Sequence, residues 1–163
     1  MDLFEEYLNK KETSKWVNRA LTADSYNKFR SRGIRKNNPQ FKELHTPLPT
    51  NTDLAVIGDA VIKVCYSDLL LDKVEQLTEE KKKLESDKVF VEKIARHYDL
   101  LKYIDFDKLE PTIPQDYDYG ETVGDNNPHK YIATAVEAII GAMYKRNEKL
   151  DAIKELLDSW RNF

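Results

Sequence analysis

LAVIGDAVIKVCYSDLLL, Leu54 to Leu71, is among the most apolar stretches of the chain, yet an aspartate, Asp59, sits near its start. A carboxylate in an apolar helix is costly unless something pairs with it. The run is apolar nearly all round, which predicts a helix at the centre of the fold. Pro47 and Pro49 favour an extended approach to it. Asn51, Thr52 and Asp53 then offer several oxygens to cap its first turn.

Outward from this segment the periodicity is helical almost throughout. Leu3, Phe4, Tyr7 and Leu8 recur at helical spacing, as do Trp16, Val17, Ala20 and Leu21. The second group predicts one helix over SKWVNRALTADSYN, with Ser14 as its N-cap. Lys73 to Lys83 is charged and reads as solvent-facing. Ser86 is the expected cap of DKVFVEKIARHYDLLKYI, whose core face is Val89, Val91, Ile94, Ala95 and Tyr98. HKYIATAVEAIIGAMYKR carries the stripe Ile132, Val136, Ile139, Ile140 and Met143. EKLDAIKELLDSWRNF carries Leu150, Ile153, Leu156, Leu157 and Trp160. Between Asp105 and Asn127 the periodicity is lost in an acidic stretch with Pro111, Pro114, Gly120 and Gly124, read as a long loop.

The chain has 163 residues, 40% hydrophobic and 34% charged, which predicts a single all-α domain. The expected domain is 1–163, with a core over about 14–145 and a terminal helix over about 148–162. A net charge of −3 argues against a non-specific nucleic-acid binder, although the mean hides a basic cluster. With Cys65 alone there is no intrachain disulfide. No apolar run is long enough to span a membrane, and the N-terminus lacks a signal-peptide pattern. The expected compartment is the cytoplasm.

Two segments share a pattern. AVIGDAV holds Asp59 beside Gly58 and Ala60; TAVEAIIGAMY holds Glu137 beside Ala138, Gly141 and Ala142. Small residues let helix backbones approach closely, so packing of these two helices would bring the two acids to one small space. Two carboxylates that close repel unless a cation or a shared proton lies between them. Magnesium, which takes one or two carboxylates and completes its shell with water and phosphate oxygens, suits such a pair. Structural alternatives remain open: Asp59 capping a helix that restarts after Gly58, and Glu137 pairing with Lys130 two turns earlier.

NTDLAVIGDAV (Asn51 to Val61) resembles the signature helix of the ribonuclease III family, usually close to NERLEFLGDAV. YIATAVEAIIGAMY (Tyr131 to Tyr144) resembles that family's second acidic helix, close to ILADTFEALIGAIY. ALTADSY (Ala20 to Tyr26) resembles its ALTHRSY element, and the three occur in the family's order. The resemblance implies the all-helical ribonuclease III endonuclease fold, working as a homodimer on double-stranded or structured RNA. It implies hydrolysis to 5′-phosphate and 3′-hydroxyl ends with Mg²⁺, or Mn²⁺, held by Asp59 and Glu137.

The family's usual four acids are reduced here, since Ala55 and Thr134 stand at two of their positions. The mini-ribonuclease III branch is similar in having Ala and Thr there and in lacking a separate double-stranded-RNA-binding domain, which the resemblance implies is absent from 1–163 as well. Thr134 is a candidate to position a water. The alternative is a catalytically inactive relative that binds RNA or protein partners. More distant is a helical interaction module whose two acids are structural.

An RNA substrate calls for a positive surface. KFRSRGIRKNNPQF supplies Lys28, Arg30, Arg32, Arg35 and Lys36 with no acid among them, and Gly33 and Pro39 predict that it is loop at least in part. Lys130, opening the second acidic helix beside His129, is the further candidate for phosphate contact.

Overall fold

The computed structural model describes residues 1–37, 46–71, 73, 75–109 and 128–163, with the side chains of 34–37 left aside. Its helices are α1 (Leu3–Leu8), α2 (Lys15–Ala20), α3 (Asp24–Asn37), α4 (Thr52–Leu70), α5 (Leu77–Leu84), α6 (Asp87–Val89), α7 (Lys130–Lys145) and α8 (Leu150–Trp160). A π-helical turn, Phe90–Ala95, continues α6, and a 3₁₀ turn follows at Leu100–Lys102. No strand occurs among the described residues, so the fold is all-α as expected.

The centre is the α4–α7 pair, the most extensive helix contact among the described residues. The π-helical turn and α2 also pack on α7, and α8 packs mainly on α4. Leu54, Val61, Ile62, Cys65 and Tyr66 of α4 are buried, as are Ile132, Val136, Ile139, Ile140 and Met143 of α7. α8 adds Ile153, Leu156, Leu157 and Trp160, its amphipathic stripe. Phe4 of α1 closes the base against Tyr98 and Trp160, at ring separations of 4.6 and 5.3 Å. Cys65 is the buried small residue that its surroundings predict.

Several local expectations change. The helix predicted over SKWVNRALTADSYN is two helices, broken at Leu21–Ala23. There the Ala23 amide donates to the Asp105 carbonyl (2.9 Å), and the Asp105 amide donates to the Leu21 carbonyl (2.8 Å). The Thr22 carbonyl accepts from the Asn51 amide (2.9 Å). Backbone groups bonded to distant segments cannot also complete a helical ladder. Ser14 holds the N-cap position of α2, but its hydroxyl accepts from Arg146 (3.0 Å) rather than from the helix start.

The oxygens before α4 are likewise used across the fold. The Thr52 hydroxyl donates to Asp24 (3.1 Å), Asp53 accepts from Arg19 (2.6 Å), and Asn51 makes no side-chain cap bond. Of the basic segment expected to be partly loop, the residues up to Asn37 are helical through Gly33, and 38–41, with Pro39, lie outside the described residues. The helix predicted from Asp87 onward is interrupted by its π turn and ends at Asp99, whose φ of 49° lies in the left-handed region. Phe90, absent from the expected core face, is buried, while Val89 is only partly so. Of the acidic stretch 105–127, residues 110–127 lie outside the described residues. No helix among the described residues is long and apolar enough to cross a membrane.

Candidate active site

Two glycines fix the α4–α7 crossing. A Cβ on Gly58 would stand 1.8 Å from the carbonyl oxygen of Glu137 and 3.0 Å from the amide nitrogen of Gly141. A Cβ on Gly141 would stand 2.0 Å from the carbonyl oxygen of Leu54 and 3.2 Å from the amide nitrogen of Gly58. Only hydrogen fits at either position. The backbone of Glu137 therefore lies directly on that of Gly58, the residue before Asp59, and both acids border the same crossing.

α4 runs unbroken through this point, so Asp59 does not cap a restarted helix. Its carboxylate is partly exposed and accepts from Lys63, one turn on, at 2.7 Å. The bond to Asp59 raises the lysine's pKa. Glu137 is half-buried, and its carboxyl is pushed up to about 7. Burial is the largest cause, followed by the negative charges of Asp87 and Asp59; Lys130 and Lys63 act in the opposite direction and only partly offset them. The site has an excess of negative charge around a partly dry carboxyl group.

This arrangement can attract a hard cation, for which oxygen donors and excess negative charge are the right chemistry. The fit is incomplete. Ala55, one turn before Asp59, is 5% exposed within the core. Thr134, one turn before Glu137, is half-buried and offers a neutral hydroxyl. No group of three His, Cys, Asp or Glu side chains among the described residues is gathered closely enough to hold a metal. Asp87, whose charge acts on Glu137, is the acid that sequence reasoning missed. It read as an ordinary acidic residue in a first helical turn, where acids favour the helix dipole anyway.

The basic candidates do not form one free patch. Lys28 is exposed. Arg32 makes an ion pair with the fully buried Asp107. Arg30 is half-buried, and its Nη1 has no hydrogen-bond partner among the described residues. The side chains of Arg35 and Lys36 lie outside the described residues. Lys130 is the first residue of α7, half-buried, with its charge felt by Glu137. His129, beside it at the helix start, is buried.

No curated protein and no solved structure gives a significant match to the chain. The family model for the ribonuclease III domain matches residues 52–148, a span that begins with the first residue of α4, ends just beyond α7 and includes Asp59, Asp87 and Glu137. More than half of the chain is covered, and the chain belongs to the ribonuclease III domain family.

Proposed function

We propose that this protein is a divalent-metal-dependent endoribonuclease acting on double-stranded or structured RNA, with Asp59 and Glu137 as its metal-holding catalytic acids. The observation that supports the reading is the Gly58–Gly141 crossing, where the backbone of Glu137 lies on that of Gly58, the residue before Asp59. Mg²⁺ or Mn²⁺ bound there would neutralise charge at the scissile phosphate and ease ionisation of the attacking water. Asp59 and Glu137 would hold the cation. Lys63, now paired with Asp59, holds that carboxylate in place until a stronger cation competes for it. Lys130 contributes positive charge next to the phosphate, and Thr134 positions a water. Water adds to phosphorus and the bond to the 3′ oxygen breaks, leaving a 5′-phosphate and a 3′-hydroxyl.

Lys28, Arg30, Arg35, Lys36 and Lys130 are the proposed RNA contacts, with phosphate contacts supplying most of the affinity. The enzyme works as a homodimer, its contact built on the outer face of α4. Val56 and Val64 are 68% and 59% exposed, and with Ala60 between them they form an apolar line at helical spacing.

The direct test is a labelled RNA duplex with Mg²⁺. The expected result is cleavage by the wild type, lost by more than a hundredfold in Asp59→Asn and Glu137→Gln. Equal cleavage by the variants would overturn the assignment. A second reading, a silent family member that binds RNA or protein partners, is favoured by the buried Ala55 and the neutral Thr134. It predicts duplex binding with no Mg²⁺-dependent cleavage.

A further inference from the structure

Trp16, in the first turn of α2, is half-buried and lines a cavity of about 460 Å³. A space of this size is in the range that takes a small organic group. α2 gives it Lys15, Asn18 and Arg19, and the segment before α4 gives it Pro49. Arg19 ties these walls together: its Nε donates to the Thr50 carbonyl at 3.0 Å and its Nη2 to Asp53 at 2.6 Å. Lys11, also in the lining, pairs with Asp105 at 2.9 Å and donates to the Tyr103 carbonyl at 2.7 Å. Walls held in this way need little ordering when a ligand enters. The uncommitted charges are on two lysines. Lys15 Nζ stands 5.2 Å from the centre of the Trp16 ring, and Nζ of Lys145, the last residue of α7, stands 5.7 Å from it. Both are exposed, and neither forms an ion pair among the described residues. Glu12 is the acid in the lining. An indole beside free ammonium groups suits a ligand that joins a flat π face to phosphate, as a nucleotide does.

We propose that this cavity binds an unpaired nucleotide of the RNA, its base stacked on Trp16 and its phosphates on Lys15 and Lys145. The inference rests on the reading of the protein as RNA-binding and adds a feature of the substrate, a single-stranded segment beside the duplex. Duplex RNA cannot make the contact, because a paired base is already stacked on its neighbours, whereas single strands splay their bases onto aromatic rings. Cation–π contacts of exposed lysines are weak beside base–aromatic stacking, so the base displaces Lys15 and Lys145 from the ring towards its own phosphates. Asn18 is exposed, and its amide can both donate to and accept from a base edge. The cavity is separate from the two acids: Lys145 ends α7 about 12 Å along the axis from Glu137 at the usual helical rise. A strand leaving the duplex near Glu137 has that distance to cover.

The test is RNA binding by the full chain without divalent metal, so that nothing is cut, read by fluorescence anisotropy of a labelled duplex. The same duplex is compared blunt, with a short uridine tail, and with a tail of abasic residues that keeps the phosphates but has no bases. The wild type should hold the uridine-tailed duplex about tenfold tighter than the blunt one, the scale of one base stacked on an aromatic ring, and the abasic tail should give little of that gain. Trp16→Ala should remove the gain and leave the blunt affinity unchanged, while Trp16→Phe keeps most of it. No gain from the uridine tail, or an equal gain in Trp16→Ala, overturns the proposal and leaves duplex binding in place. An equal gain from the abasic tail also overturns it, since the contact is then one of charge alone. If no form of the RNA binds, the proposal and the RNA reading fall together. Binding that depends on the tail and on Trp16, with no cleavage once Mg²⁺ is added, supports this site and overturns only the nuclease. Should Trp16→Ala not fold, Trp16→Leu, which fills the half-buried position without a ring, is read by the same criteria.

Discussion

Gly58 and Gly141 face each other across the α4–α7 crossing with no space for a side chain on either. Each would drive a methyl group into backbone rather than into a side chain that can swing away. Gly58→Ala and Gly141→Ala should therefore lie at or beyond the upper end of the usual overpacking cost, about 3 kcal/mol. Urea unfolding midpoints measure this. Because Glu137 rides on the same contact, any folded fraction should also lose metal response. A neutral effect of either substitution would mean that the helices are not in contact at these residues.

The raised carboxyl of Glu137 has a definite consequence for stability. Its folded pKa of about 7 lies above the ordinary 4.5, so the native protein holds a proton that the unfolded chain has released. Stability therefore falls as pH rises between those two values and stays lower above them. At the ordinary conversion per pKa unit the loss is about 3 kcal/mol at most, less for the solvent that reaches a half-buried group. In metal-free protein, Glu137→Gln should flatten the melting-temperature profile between pH 4.5 and 7 and be the more stable form at pH 8. Mg²⁺ should raise the wild-type melting temperature at pH 8 and leave the variant unmoved. Parallel profiles for the two proteins would contradict this.

Arg32 was a candidate for RNA contact, and its ion pair with Asp107 gives it a second duty. The Asp107 carboxylate is 0% exposed, and it also accepts from the Leu109 amide at 3.0 Å. Removing the arginine takes the ion-pair partner from a buried carboxylate, a loss of about 3 kcal/mol or more. Arg32→Ala should thus lower the unfolding midpoint, whereas Lys28→Ala, on an exposed residue, should leave it unchanged. If Arg32→Ala weakens only RNA binding, the ion pair contributes nothing to the fold.

The central pair of helices was legible because two signals coincide in it. Each helix is strongly apolar around one embedded acid, and each places small residues next to that acid, so close approach follows from Gly58, Ala138 and Gly141 without knowing the topology. The rest depended on partners far away in the chain. The break at Leu21–Ala23 exists because Asp105 and Asn51 take its backbone groups, a relation that no local window contains. Gly33 was read as a helix breaker, yet a glycine inside a helix lowers stability only modestly, and α3 continues through it. The π turn hid Phe90, since an inserted residue moves the buried face off the 3.6-residue period. Asp107 and Asp87 sat in acid-rich or helix-opening contexts where a carboxylate has an ordinary explanation, so neither announced its role.

The outer face of α4 makes the assembly testable apart from catalysis. Val56, Ala60 and Val64 stand at four-residue intervals, and Leu71 near the far end of the helix is also exposed. In a twofold dimer the same patch meets itself, so a single substitution acts twice. Val56→Asp should place two like charges in the contact and weaken association by about a hundredfold or more, close to 2.7 kcal/mol. Light scattering should then report a particle of 19.1 kDa where the wild type gives twice that mass at micromolar concentration. Thermal unfolding of the variant at matched dilution separates loss of assembly from loss of fold, because Val56 lies outside the core. A wild type that is already monomeric under these conditions would remove the dimer from the proposal while leaving Asp59 and Glu137 in place.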